Sequence, residues 1–193
     1  MSQASQVQRP VPSPPERQVY PMAPLIRFTL LALYLALVLP LPFLAPPDLR
    51  LLLVAALPLG LLLVTALTSE RVELDGDGLR VCFPPWCAWL LRRGWSLPWQ
   101  QVHGLTPVAT SQGGRVWYVR CLAGADAGGG RAHLLPQRVA RFDDFLQRFA
   151  TASGIDTREV GRISPPWTYQ LLAVLCAALL MGEGIGLLLL TPP

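Results

Sequence analysis

Few residues of this 193-residue chain have the types and spacing that catalysis requires. Its two histidines, His103 and His133, lie in no motif with a nucleophile and at no metal-ligand spacing. The "DGDG" stretch, residues 75–78, lacks the remaining ligands of a calcium loop, and a hairpin turn explains it better. The glycines of "GADAGGG", residues 124–130, are not followed by the helix that a phosphate-binding loop needs. We therefore expect no enzymatic activity and no cofactor.

The four cysteines do not form a pattern typical of a metal site. Cys82 and Cys87 are separated by four residues, which is wider than the usual zinc spacing, and no histidine follows at the right interval. Cys176 lies inside an apolar run. We therefore expect no bound metal, and a disulfide is disfavoured if the middle of the chain is cytoplasmic.

Tryptophans and arginines are mixed in "PPWCAWLLRRGW", residues 84–95. This composition suits a membrane interface, with indole rings at headgroup depth and guanidinium groups on lipid phosphates. The alternative is that the tryptophans fill a small core while the arginines supply cytoplasmic charge. The candidate interface residues are Trp86, Trp89, Arg92, Arg93 and Trp95.

A carboxylate stands between two glycines in "MGEGIG", residues 181–186. Gly182 and Gly186 form a GxxxG pair, which allows another helix to approach closely. Glu183 would then be neutral or hydrogen-bonded at the contact, since a charge at the bilayer centre costs roughly 2.5–3.5 kcal/mol on insertion scales. The alternative places Glu183 near the outer interface, extended towards water. The partner helix could belong to this chain or to another protein.

Three apolar runs carry or flank these residues, at 28–45, 49–67 and 167–190. Each is close to the roughly 20 residues needed to cross a hydrocarbon core of about 30 Å. The composition agrees, with 52% hydrophobic and only 15% charged residues. The sequence therefore predicts a disordered segment (1–21), a transmembrane helical hairpin (22–68), a soluble domain (69–163) and a third transmembrane helix (167–190).

Arginine placement predicts the orientation of these spans. The turn between the first two spans has only Arg50, which Asp48 offsets. The other segments next to the spans carry Arg9, Arg17, Arg27, Arg71, Arg80, Arg92, Arg93, Arg158 and Arg162. The positive-inside rule then places the N-terminus and the soluble domain in the cytoplasm and the C-terminus outside or in a lumen. This topology accounts for the net charge of +4, so we expect no nucleic-acid partner.

The soluble domain is predicted to contain several short strands followed by one helix. Residues 71–83 alternate around "DGDG" as a hairpin, and "GWSLPW", "RVWYVRCLA" and "RAHLLP" are typical of further strands. Residues 137–154 predict an amphipathic helix with Gly154 at its C-cap. Val139, Phe142, Phe145, Leu146 and Phe149 share its apolar face.

Residues 70–153 resemble bacterial PH-like domains. The similar stretches are "VELDGDGLRV", "GWSLPWQQVHGL" and "RFDDFLQRF". The resemblance implies a bent barrel closed by a C-terminal helix. The expected fold is thus a small β-rich domain of this type together with three transmembrane helices, although generic PH-like membrane proteins lack a third span after the domain.

The whole chain is also similar to a group of uncharacterised cyanobacterial integral membrane proteins. The shared features are "RRGWSLPW", "TSQGGRVWY", "LLPQRVARF", "GIDT" and "PPWTYQ", in this order. The resemblance implies a plasma or thylakoid membrane and carries no activity with it.

The sequence favours a non-enzymatic binding or scaffold protein that helps to assemble or regulate a membrane complex. The expected partners are membrane lipids and another membrane protein. One alternative is an anionic-lipid sensor that uses Arg92 and Arg93. Another is a membrane enzyme or transporter component that uses Glu183 as an intramembrane acid.

Overall fold

The computed structural model describes residues 17–91, 94–111, 114–121, 132–163 and 165–190. Within these ranges three helical segments are long and apolar enough to cross a membrane, namely Pro24–Leu44, Pro47–Leu67 and Trp167–Leu189. Segments of 21 to 23 residues match the length needed for a hydrocarbon core of about 30 Å. The three predicted spans are therefore confirmed as helices of suitable length and composition.

The first span consists of two helices, α1 (Pro24–Val38) and α2 (Leu41–Leu44). The break falls at Pro40, which has no amide hydrogen to donate to the preceding turn. The second span is α3 (Pro47–Leu67), which begins inside the "PPDLR" stretch of the predicted connection. Pro47 suits the first helical position because an amide hydrogen there would have no intrahelical acceptor.

The third span, α6 (Pro166–Leu190), packs along α1. The Thr29 hydroxyl lies 3.4 Å from the Tyr169 carbonyl oxygen, near the start of both helices. Further along, Ala36 and Cys176 are each only 2% exposed. Small side chains at these positions let the two backbones approach closely.

Tyr34 joins the first span to the second. Its hydroxyl donates a hydrogen bond of 2.7 Å to the carbonyl oxygen of Leu57. Its ring lies over Gly60, where an added Cβ would be 2.8 Å from the Tyr34 Cζ atom. The absence of a side chain at Gly60 is therefore what lets the ring lie against α3.

We predict that Gly60→Ala lowers the stability of the full-length protein in detergent, because the new methyl group overlaps the Tyr34 ring. Overpacking costs about 1–3 kcal/mol, and each kcal/mol shifts the melting midpoint by about 2–4 °C in a chain of this size. Gly184→Ala is the matched control, since a Cβ there meets no atom within 4 Å. Both changes raise helix propensity alike, so equal midpoints for the two variants would contradict this packing.

Two antiparallel sheets form the part of the chain between the second and third spans, together with one strand that precedes the first span. The first sheet has the order β1 (Gln18–Pro21), β2 (Arg71–Leu74), β3 (Gly78–Cys82) and β4 (Trp95–Pro98). The second has the order β5 (Val102–Ala109), β6 (Arg115–Cys121) and β7 (Ala132–Leu134). A 3-10 turn at Trp99–Gln101 leads from one sheet to the other. The predicted strands within the described residues are thus confirmed.

The "DGDG" stretch forms the predicted hairpin turn between β2 and β3. The Asp75 carboxylate accepts hydrogen bonds from the backbone N–H groups of Asp77 (3.0 Å) and Gly78 (2.9 Å). This is the local side-chain bonding that favours aspartate in turns. The carboxylate is therefore used to hold the turn.

The predicted amphipathic helix is α5 (Phe142–Ser153), which fills the core between the sheets and begins five residues later than predicted. Val139 is therefore not on its apolar face but precedes it and pairs with Met22 in an antiparallel bridge. Phe142, Phe145 and Phe149 are each at most 2% exposed. The Trp99 ring meets Phe149 edge-on at 5.7 Å between centroids. Gly154 ends the helix in the left-handed conformation, with φ of 71°, as its position predicts.

The expectation of disorder over residues 1–21 is wrong for Gln18–Pro21, which forms β1 on the free edge of β2; residues 1–16 lie outside the described residues. Tyr20 on β1 is fully buried and donates a hydrogen bond of 2.7 Å to Asp144 on α5. Burial, and then this bond, raise the pKa of Tyr20 to about 12, so its hydroxyl remains a donor. Proline-rich composition does not reveal such an edge, because the pairing depends on residues 50 or more positions away.

Candidate functional site at the membrane boundary and the end of α6

Trp86 and Trp89 lie on α4 (Pro85–Leu91), a short helix that contacts α3. Their exposed fractions are 46% and 70%, while Cys87 on the other face is 1% exposed. The Trp89 indole N–H donates a hydrogen bond of 2.9 Å to the Trp86 carbonyl oxygen. The helix thus presents its indole rings outward beside a spanning helix. Arg92 and Arg93 lie outside the described residues.

Trp95 occupies a different environment from the other two tryptophans. It lies on β4, and its ring stacks on His133 at 4.6 Å between centroids with an interplanar angle of 20°. It also packs against the buried core of the soluble domain. The sequence placed Trp95 with Trp86 and Trp89 in one candidate interface. In the structure Trp86 and Trp89 lie on α4, whereas Trp95 lies on β4.

The glycine face at the end of α6 is not covered by the described part of this chain. A Cβ added at Gly182 or Gly186 would have no neighbouring heavy atom within 4 Å. The adjacent Ile185 and Leu188 are 60% and 75% exposed. The sequence left open whether the partner helix belongs to this chain or to another protein. The chain's own helical hairpin does not contact these glycines.

Glu183 lies between the two glycines and is partly buried. Its Oε2 atom is buried and has no hydrogen-bond partner within the described residues. Leu190 lies seven positions further on, which corresponds to about 10 Å along a helix, so Glu183 lies in the far part of the span. Its Oε2 atom is covered by this chain's own atoms, while Gly182 and Gly184 on either side of it are exposed.

The remaining reactive side chains have structural surroundings. The described residues contain no group of three or more histidine, cysteine, aspartate or glutamate side chains that could hold a metal ion. Cys82 is a free thiol, and burial raises its pKa, which keeps the nucleophilic thiolate scarce at neutral pH. His133 is taken up by its stacking on Trp95.

A cavity of about 410 Å³ lies where the first and third spans meet the soluble domain. Sequence reasoning missed it because its lining comes from three separate segments. Residues 23–26 begin the first span and residues 137–141 precede α5. Arg162 and Ile163 precede α6, and Tyr169 lies in its first turn. The sequence signals are Arg162, which lies next to the third span, and Arg138 and Arg141, which lie in the stretch predicted as an amphipathic helix.

The fold and these surfaces define a small membrane-associated protein in which three helices of spanning length carry a unit of mixed helix and sheet. No family model matches the chain. The chain is 41% identical over 185 residues to the uncharacterised protein slr0269 of Synechocystis sp., covering 92% of this chain and 90% of that protein. The chain therefore belongs to the same cyanobacterial family, and the resemblance to such proteins is confirmed.

We predict that replacing Trp89 and replacing Trp95 change the quenched fraction of the tryptophan emission in opposite directions when lipids with brominated acyl chains are the quencher. In vesicles containing these lipids, Trp89→Phe should lower the quenched fraction of the emission, because an exposed indole beside a span lies near the bilayer. Trp95→Phe should raise that fraction slightly, since it removes an emitter packed on the core. A fall of equal size for both variants would contradict the different environments.

Proposed function

We propose that this protein is a non-enzymatic membrane scaffold that helps to assemble or regulate a membrane complex. The observation that carries the proposal is the uncovered Gly182–Gly186 face of α6, beside Glu183, whose Oε2 atom has no hydrogen-bond partner within the described residues. The occupant we propose is a transmembrane helix of another protein. As that helix packs on the glycines, the Glu183 side chain would turn towards it and accept a hydrogen bond, or donate one in its protonated form.

Packing along α6 supports this assignment. The first part of the helix is used internally, because α1 covers it around Thr29 and Cys176. The far part has the small-xxx-small spacing but no internal contact at the glycines. Helix association in a bilayer relies on close packing and interhelical hydrogen bonds, and both resources are present there.

The soluble domain would be the regulatory or binding module of this scaffold. The order of antiparallel strands followed by a core-filling helix supports a PH-like fold. We propose that the N-terminus and this domain face the cytoplasm, in a plasma or thylakoid membrane, as the arginine distribution indicates. A fold of this type does not determine the ligand, so the function depends on the exposed surfaces of α6 and of the soluble domain.

A second candidate function is anionic-lipid sensing through α4. The outward Trp86 and Trp89 beside α3 favour it, since indole rings concentrate at membrane interfaces. Arg92 and Arg93 follow directly in the sequence and would add attraction to acidic lipids. Such contacts would also anchor a scaffold, so this function and the first are compatible.

We predict that the double substitution Gly182→Leu and Gly186→Leu abolishes the association of this protein with its partner subunits. The tagged full-length chain, solubilised in mild detergent, should copurify with a defined set of membrane subunits identified by mass spectrometry. Leucine side chains on the glycine face would hold a partner helix away. The variant should therefore yield the tagged protein without that set.

Gly184→Leu provides the matched control. It lies two residues from each of the other glycines, about 200° around the helix, and also has open space around it. It should retain the partner set. Recovery of the tagged chain alone from the unmodified protein would contradict the assembly role, and recovery of only a second copy of the chain would replace it with self-association.

We predict that Glu183→Gln is tolerated. Glutamine has nearly the same shape and can still form a hydrogen bond to a partner helix, but it cannot transfer a proton. The variant should copurify with the same subunits and restore the membrane function lost in a strain without the protein. A variant that keeps its subunits yet behaves as the deletion would favour an intramembrane acid and overturn the non-enzymatic assignment.

A further inference from the structure

We propose that the cavity between the spans and the soluble domain binds the anionic, hydroxyl-bearing headgroup of a membrane lipid. Its volume is about 410 Å³. This assignment goes beyond the scaffold role and does not depend on it. It also uses residues distinct from those of α4.

The cavity lies at the depth of lipid headgroups. Its wall includes Pro24, Leu25 and Ile26, which begin the first span, and Tyr169, which lies three residues into α6. The headgroup region of a bilayer borders the hydrocarbon core at the ends of spanning helices. A lipid could therefore place its acyl chains along α1 and α6 and its headgroup in the cavity.

Charge in the cavity favours an anion. Arg138, Arg141 and Arg162 line it, and none of its described lining residues is acidic. Asp143 pairs with Arg162 at 3.2 Å, but its side chain is 89% exposed and lies towards solvent. Glu70 lines an adjoining crevice together with Arg138. Guanidinium groups suit phosphate and sulfonate because they can donate two parallel hydrogen bonds.

Two of these guanidinium groups are held in place by aromatic rings. The Arg141 Cζ atom lies 5.3 Å from the centre of the Tyr20 ring, and the Arg162 Cζ atom lies 5.9 Å from that of Phe142. Rings of this kind attract a cation and still leave its N–H groups able to bind an anion. The arginines are thus ordered before a ligand arrives, which reduces the entropy lost on binding.

The backbone at Arg141 is also unusual. Its φ of 51° and ψ of 47° are left-handed, and it is the only non-glycine residue with positive φ among those described. Conformations of this kind cost energy and concentrate at functional sites. Here the left-handed turn starts α5 and carries the Arg141 side chain to the cavity.

Gln137 indicates what else the ligand must offer. It is 5% exposed, lines the cavity, and donates from Nε2 to the carbonyl oxygens of Gly161 (2.6 Å) and Arg115 (3.4 Å). Its Oε1 atom is buried and has no donor within the described residues. Buried acceptors without a donor are rare in folded proteins. A turn of the Gln137 amide towards the cavity that it lines would bring Oε1 to a hydroxyl of the headgroup, which would supply that donor.

The N-terminus of α1 adds a second anion-binding feature to the arginines. No side chain caps this helix, and Leu25 and Ile26 lie in its first turn, where backbone N–H groups have no intrahelical acceptor. The first-turn amides and the helix dipole both favour an anion. The cavity thus combines fixed guanidinium groups, free amides and one orphaned acceptor.

The test is lipid binding to the delipidated full-length protein in detergent, measured by native mass spectrometry. Phosphatidylglycerol should bind with one high-affinity site, and phosphatidylcholine should not compete. Phosphatidylmethanol, a phosphodiester of the same charge that lacks the headgroup hydroxyls, should bind several-fold more weakly because the Gln137 acceptor stays unpaired. Binding of all three lipids with the same affinity would overturn the proposal.

Arg141→Gly is the sharpest variant, since glycine relieves the left-handed backbone and so does not endanger folding. It should weaken phosphatidylglycerol binding about tenfold, the scale expected for loss of one charge-assisted hydrogen bond. Arg162→Gln should weaken it similarly. Arg80→Gln, an equal change of charge on β3, is the control and should leave the affinity unchanged.

A separate arm distinguishes a lipid from a soluble anion. Free glycerol phosphate, added at the concentration of the lipid, should not displace phosphatidylglycerol, because it lacks acyl chains to contact α1 and α6. Displacement at equal concentration would overturn the assignment to a lipid. Equal affinities of wild type, Arg141→Gly and Arg162→Gln for phosphatidylglycerol would overturn the cavity as the site.

Discussion

Backbone hydrogen bonds tie the soluble domain to the start of the first span, and the rest of the arrangement depends on the two shortest of them. The Ala23 N–H donates to the Arg138 carbonyl oxygen and the Ala140 N–H donates to that of Pro21, both at 2.8 Å. Without these bonds, only the backbone at Met22 and Ala23 would link β1 to α1. Because only residues 68–70 separate α3 from β2, the second span is held to the same sheet. The soluble domain therefore has a defined orientation relative to the first two spans.

The polar side chains of the spans differ in whether this chain satisfies them. Within them, the hydroxyl groups of Thr29, Tyr34 and Thr65 donate to backbone carbonyl oxygens at 2.7 to 2.8 Å, which satisfies them without water. The Glu183 Oε2 atom has no hydrogen-bond partner within the described residues. The contrast separates the part of the helical bundle whose hydroxyl groups are satisfied by its own backbone from the part that we propose binds another helix.

Periodicity made the spans, the β2–β3 hairpin and α5 predictable, since each is specified by its own residues. Gly154 marked the helix end because only a left-handed residue fits there. Tyr20 was missed because its burial depends on the edge of β2 and on Asp144, 124 residues away. The cavity was missed for the same reason: Arg138, Arg141 and Arg162 acquire a shared role only when the first span docks beside them.

Two surfaces of this chain contain a buried polar atom without a partner among the described residues, and the chemistry around the two atoms differs. Gln137 Oε1 and Glu183 Oε2 are two of the three buried side-chain polar atoms that lack a partner in the described chain. One lies among arginines where the spans meet the soluble domain, and the other lies between glycines in the far part of α6. Arginines beside an orphaned acceptor fit a hydrated anionic headgroup, whereas a carboxyl flanked by glycines fits a closely packed helix. A lipid bound at the first surface would steady α1 against α6, and so would also fix the direction in which α6 presents the second.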